Sequence, residues 1–210
     1  MVEERIWLNL KRRIKMIYGT IICLGDSLTE GSRDEYQRGY PVELELELYR
    51  RHKQTWNCVN AGIAGQISIE IYKRAYAVCK SHPEAAELIL LCGTNDSKVQ
   101  IRTPLEMYKE HIEATIRCAR RWEKFVYLCT IPSLCGFGAP DFCDNNLIMQ
   151  YNNILCDIAA NDPLTTLVYM YSLPTDCYSD GVHLNNKGYK KIALRLADAI
   201  DKERGWRQFE

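Results

Sequence analysis

Five short apolar runs recur along the chain, each followed by a longer stretch with helical periodicity. This alternation constrains the fold more than any single motif. Parallel strands must be joined by crossovers of a dozen or more residues, and helices supply them. The runs predict strands over residues 19–24, 55–60, 88–92, 125–130 and 166–171. The best-marked helix spans 104–122: Thr103 and Glu106 read as a capping box, Pro104 suits the first helical position, and Leu105, Tyr108, Ile112, Ile116 and Ala119 keep a 3.6-residue period. Ile148, Tyr151, Leu155 and Ile158 repeat that pattern. So do Tyr189, Ile192, Leu196 and Ile200, behind a cap at Asn185 or Asn186. The stretch PVELELELYR (41–50) alternates apolar and polar residues like a strand. Its Leu and Glu residues favour helix, however, and the first two strands need a crossover there.

Composition narrows the class. A chain of 210 residues, 47% hydrophobic and 26% charged, suits one soluble domain with its own core. Lys+Arg and Asp+Glu both number 27, so no electrostatic footprint points to nucleic acid. No apolar run approaches the roughly 20 residues of a membrane span, so stable membrane insertion is not expected. Charges interrupt the N-terminus throughout, which predicts no secretory leader. Residues 1–16 read as an extension and 17–210 as one domain. Ten cysteines without a C-x-x-C spacing predict reduced thiols in a cytoplasmic protein, with no metal or cofactor. Cys135 and Cys143, within the Gly- and Pro-rich stretch 131–145, are the pair most able to oxidise. A stretch of that length suits a lid or binding loop.

In open α/β sheets, ligand sites form beyond the carboxyl ends of the strands. Strand one runs into Gly25-Asp26-Ser27, strand two into Asn60-Ala61-Gly62-Ile63-Ala64-Gly65, and strand three into Gly93-Thr94-Asn95-Asp96. Strand five leads through Pro174 to Ser179-Asp180-Gly181-Val182-His183-Leu184. All four blocks are small and polar, and all fall at one edge of the sheet. Serine acyl transfer needs a hydroxyl, a base, a group orienting the base, and donors for the oxyanion. Ser27 supplies the hydroxyl. Of the four histidines, His52 closes a charged helix, His82 precedes Pro83 ahead of a strand at the opposite edge of the sheet, His111 lies within the capped helix, and only His183 follows a strand's carboxyl end. Asp180, three residues before it, can hold its Nδ1–H. Gly62 N–H, the Asn95 amide and Ser27 N–H are candidate oxyanion donors. Taken singly, each residue has a structural use, as turn former, cap or tight-turn glycine. Their convergence on one edge favours the chemical reading.

At these four blocks the sequence resembles the SGNH (GDSL-type) hydrolases, in order and spacing, over roughly residues 17–200. The resemblance implies a flavodoxin-like three-layer α/β/α fold with a five-stranded parallel sheet. It implies a Ser27 nucleophile, a His183 base with Asp180 as partner, and an oxyanion hole of Ser27, Gly62 and Asn95. The implied substrate is a small carboxylic ester, such as an O-acetyl group on carbohydrate. Acyl transfer, thioester or lysophospholipid hydrolysis by the same machinery is the alternative, as is a non-catalytic ligand-binding module. Two positions depart from the family pattern: Gln66-Ile67-Ser68 stands where a threonine is usual, and Tyr40 where a tryptophan often precedes the proline. Tyr40, Leu134, Phe137, Phe142 and Tyr178 are candidates to line the pocket.

Overall fold

A computed structural model of the chain describes residues 19–36, 38–135 and 142–205. The expected extension 1–16 lies outside them, as do Gly136, Phe137, Gly138 and Pro140. In chain order the elements are β1 (Thr20–Gly25), α1 (Ser27–Glu30), α2 (Gly39–His52), β2 (Asn57–Gly62), α3 (Ser68–Ser81), β3 (Glu87–Leu91), α4 (Leu105–Arg121), β4 (Phe125–Cys129), α5 (Asn145–Asn161), β5 (Thr165–Val168) and α6 (Asn186–Arg204). The five strands form one sheet in the order β2-β1-β3-β4-β5, with every pairing parallel. Stretch 41–50 is helical, inside α2, as the need for a crossover predicts.

Both faces of the sheet are covered, and the strands show why their sequences are apolar without interruption. Within β1, Ile21 and Cys23 face α2 and α6, while Ile22 and Leu24 face α3, α4 and α5. The helical stripes read from the sequence are the buried faces: Tyr108, Ile112, Ile116 and Ala119 on α4, Ile148, Tyr151, Leu155 and Ile158 on α5, and Tyr189, Ile192, Leu196 and Ile200 on α6. Tyr108 stacks on Tyr151 at 4.1 Å between ring centroids, and its hydroxyl donates to the Cys92 carbonyl. That is how a polar tip is accommodated in a buried aromatic pair. All ten cysteines are free thiols.

Four local expectations are corrected. Pro104 has an extended ψ of 143° and stands just before α4, with no side-chain cap. Thr103 does not form a capping box; its hydroxyl turns inward to the buried Asp96 carboxylate, a stronger acceptor than a helix terminus is a donor. Strand β5 stops at Val168, because the Thr130 hydroxyl takes the Met170 and Tyr171 N–H groups that a longer ladder would use. Strand β2 runs two residues further than expected, so that Gly62 is its last residue and pairs with Gly25 of β1. No helix among the described residues is long and apolar enough to cross a membrane.

Candidate active site

Where β1 ends, Asp26 caps the short helix α1, its Oδ1 accepting the Leu28 N–H at 2.9 Å. The turn puts Ser27 in the first position of α1, where its N–H has no acceptor within the helix. Residues 178–184 fold back on themselves: Tyr178 bridges Leu184, and Ser179 N–H donates to the His183 carbonyl at 2.8 Å. Inside that turn, Asp180 Oδ1 accepts the N–H groups of Val182 and His183, at 3.1 and 2.7 Å. Its other oxygen lies 2.8 Å from His183 Nδ1. The ring's Nε2 then stands 3.2 Å from Ser27 Oγ. Burial opposes the charge on Asp180, but the His183 N–H and imidazole and the Val182 N–H outweigh it and hold its carboxyl below the usual carboxylate range. The carboxylate therefore fixes which ring nitrogen carries the proton.

Ser27, Asn95, Asp180 and His183 line one cavity of about 610 Å³, together with Ser32, Arg33, Ala64, Gly65, Lys98, Phe142, Cys143 and Val182. That volume suits a small organic ligand. Asn95 opens a short 3-10 turn after β3, and its amide nitrogen donates to the Gln66 carbonyl at 2.9 Å. The same nitrogen also reaches Asp26 Oδ2 in a long contact of 3.4 Å, so its second hydrogen is only weakly held.

Gly62 is not among the lining residues. Its N–H donates to the Asn60 side chain at 3.0 Å, and a Cβ there would fall 2.1 Å from the Glu30 nitrogen. The glycine serves the close approach of α1 to β2. From the same block it is Gly65 that reaches the cavity wall, at φ +81° with open space where a Cβ would stand. Among the described residues no acceptor takes the Gly65 N–H. The two-residue extension of β2 accounts for the exchange, since it draws Gly62 into the ladder and leaves Gly65 in the turn. Of the aromatic and leucine candidates among the described residues, only Phe142 lines the cavity; Phe137 lies outside them. Tyr40 is fully buried in the core, Leu134 is buried, and the Tyr178 hydroxyl donates to the Ser133 carbonyl.

A second polar layer lies beneath the site, and the sequence carried no sign of it. Asp96, next to Asn95, accepts the Ser68 N–H at 2.9 Å and the Ser68 hydroxyl at 2.6 Å. Ser68 Oγ in turn lies 2.9 Å from Nδ1 of the buried His111. Burial raises the Asp96 carboxyl above its ordinary value despite these bonds. Asp26 is fully buried as well. Burial pushes its carboxyl up to about 7, with the Asp96 charge adding to the shift and the Leu28 N–H and Lys98 ammonium opposing it. Arg74 of α3 reaches across to donate to the Gly25 carbonyl at 2.7 Å and to Gln66 at 2.6 Å, tying the first and second blocks together.

A parallel three-layer α/β/α sheet with a serine, an imidazole and a carboxylate in line beyond its strand ends defines a class in which acyl transfer by serine is chemically available. The chain belongs to the GDSL-like lipase/acylhydrolase family, whose model matches residues 23–191. Among solved structures it is similar to a lipase/acylhydrolase from Enterococcus faecalis, with a TM-score of 0.74 and 19% identity over 91% of this chain and 99% of that one. It is also similar to a carbohydrate acetylesterase family member from Sinorhizobium meliloti, with a TM-score of 0.74 and 17% identity over 89% and 99%. A psychrotrophic esterase from Pseudoalteromonas sp. gives a TM-score of 0.69 and 20% identity over 88% and 97%. These likenesses share the fold. No curated protein matches the chain.

Proposed function

We propose that the protein is a serine esterase that hydrolyses small carboxylic esters through an acyl-enzyme on Ser27. The observation that carries this is the unbroken line Ser27 Oγ, His183 Nε2, His183 Nδ1, Asp180 Oδ2, with contacts of 3.2 and 2.8 Å at one wall of a cavity. Ser27 Oγ attacks the ester carbonyl as neutral His183 takes its proton. His183 then gives that proton to the departing alcohol, and a water repeats the sequence to release the acid. The developing oxyanion is met by the N–H groups of Ser27 and Gly65 and the Asn95 amide, each donor contributing about 3 kcal/mol of barrier lowering. Gly65 takes the part that the sequence reading gave to Gly62.

A short acyl group, acetyl foremost, fits a cavity of this size in which Ala64, Phe142, Cys143 and Val182 share the wall with the polar groups, and the carbohydrate acetylesterase family member of the same fold points the same way. Ten free thiols suit a reducing, cytoplasmic compartment. A fluorophosphonate probe tests the reading directly. It should label the wild-type protein and not Ser27→Ala, and hydrolysis of 4-nitrophenyl acetate should disappear with the label. A wild-type protein that neither labels nor turns over acetyl, butyryl or octanoyl esters would be a ligand-binding module instead.

A further inference from the structure

The cavity carries more positive charge than ester chemistry needs. Two cations reach it from separate segments, Arg33 from the turn after α1 and Lys98 from the turn after Asn95. Its one lining carboxylate, Asp180, is engaged by His183 and by two backbone N–H groups. Glu30, bonded to the lining residues Ser32 and Ala64, is taken by the Ser32 hydroxyl and the Ala64 N–H.

Both cations are held by their backbones. Lys98 forms an isolated bridge with Cys143, its N–H donates to the Asn95 carbonyl, and its own carbonyl accepts the N–H groups of Ile101 and Arg102. The half-buried Lys98 side chain forms no ion pair or hydrogen bond with the described residues. Its ammonium is near enough to the cavity floor to draw the carboxyl of Asp26 and the thiol of Cys143 downward. Arg33 holds a left-handed backbone, φ +66°, which is uncommon for a residue with a side chain. Its carbonyl accepts the Ser179 hydroxyl at 3.2 Å, and its Nε lies 3.9 Å from Asp180. The guanidinium therefore stands at the mouth beside the reacting groups, 71% exposed.

We propose that the ester this site takes carries a negative charge of its own, a carboxylate or a phosphate, which Lys98 and Arg33 hold inside the cavity that contains Ser27. This rests on the esterase reading above and narrows its substrate class. A neutral ester leaves the half-buried ammonium facing only the buried Asp26 carboxyl, whereas an anionic one pairs with it directly where water is partly excluded and screening is weak. A guanidinium at the mouth adds attraction during approach.

Matched substrates test this. We expect 3-acetoxybenzoate or 3-acetoxyphenyl phosphate to exceed methyl 3-acetoxybenzoate in kcat/KM by about tenfold at low salt, with the margin shrinking in about 0.5 M NaCl. The first two probes separate a carboxylate from a phosphate. A further pair, mono-4-nitrophenyl adipate and its methyl ester, puts the charge on the acyl half. Lys98→Ala should lower the anionic-to-neutral ratio about tenfold, mostly through KM, and Lys98→Glu should invert it, with Lys98→Arg restoring part of it. Arg33→Ala, at an exposed position, should lower the same ratio by a smaller factor. If the wild-type protein hydrolyses neutral esters, and Ser27→Ala does not, but no anionic probe is preferred, this inference falls and the esterase reading stands. If no ester is hydrolysed at all, both fall.

Discussion

Gly25 and Gly62 lie side by side at the ends of β1 and β2, and the Ile63 N–H closes on the Gly25 carbonyl at 3.2 Å. That pairing commits Gly62 to the sheet and hands the cavity wall to Gly65. Gly62→Ala should therefore act on stability, because the new Cβ meets the α1 backbone, an overpacking worth about 3 kcal/mol. Gly65→Ala has open space and meets only the cost of a left-handed backbone, about 1 kcal/mol, so its loss should show in kcat more than in Tm. Paired thermal melts and ester kinetics decide between them. Asn95→Ala should lower kcat by about 10²–10³-fold with little change in KM. If Gly62→Ala folds normally and loses only kcat, Gly62 regains the oxyanion role.

Asp180 acts through the imidazole, so Asp180→Asn should leave the fold in place and present the wrong tautomer to Ser27. A loss of kcat on the order of 10³-fold or more is expected, along with slower fluorophosphonate labelling. Because the Asp180 carboxyl is held low, it stays charged across the weakly acidic range, so the margin in kcat/KM between the wild type and Asp180→Asn should persist there. A margin that closed on mild acidification would show that Asp180 takes up a proton in that range and does not hold the ring.

Asp26 makes a prediction about stability. Its carboxyl rises from an ordinary 3.8 to about 7 on folding, so the folded state holds the proton more tightly than the unfolded chain. That preference stabilises the protein fully below about 3.8 and is lost as the pH climbs through about 7, where the buried carboxylate is half charged. Asp26→Asn keeps a good helix cap and cannot ionise. The wild-type Tm should fall between about pH 5 and about 7.5 relative to this variant. Two parallel Tm-against-pH curves would refute the assignment.

Ser68 links Asp96 to His111 in a buried chain. Ser68→Ala removes the hydroxyl that serves both and leaves two buried polar groups short of a partner. The expected loss is roughly 1–3 kcal/mol, read from the urea midpoint. Since Asp96 adjoins Asn95, kcat should fall as well, by about tenfold, without loss of fluorophosphonate labelling. An unchanged urea midpoint would mean that the chain contributes nothing to stability.

The strand-and-helix alternation, the three apolar helical stripes and the four polar blocks were legible from the chain alone, for one physical reason. Periodicity and turn chemistry are local, and a parallel sheet sends every strand's carboxyl end to the same edge. Ser27, Asn95, Asp180 and His183 could thus be grouped before any contact between them was seen. Tertiary structure decided what depends on register and on which side chain wins a shared partner. It extended β2 by two residues and so exchanged Gly62 for Gly65 at the cavity wall. It turned Thr103 away from a helix cap toward Asp96, and it ended β5 where the Thr130 hydroxyl displaced the ladder. It also brought Ser68 against His111, 43 residues away, and Lys98 and Arg33 into one cavity. None of these carries a local signal, because each is settled by competition among groups that only the packed fold brings together.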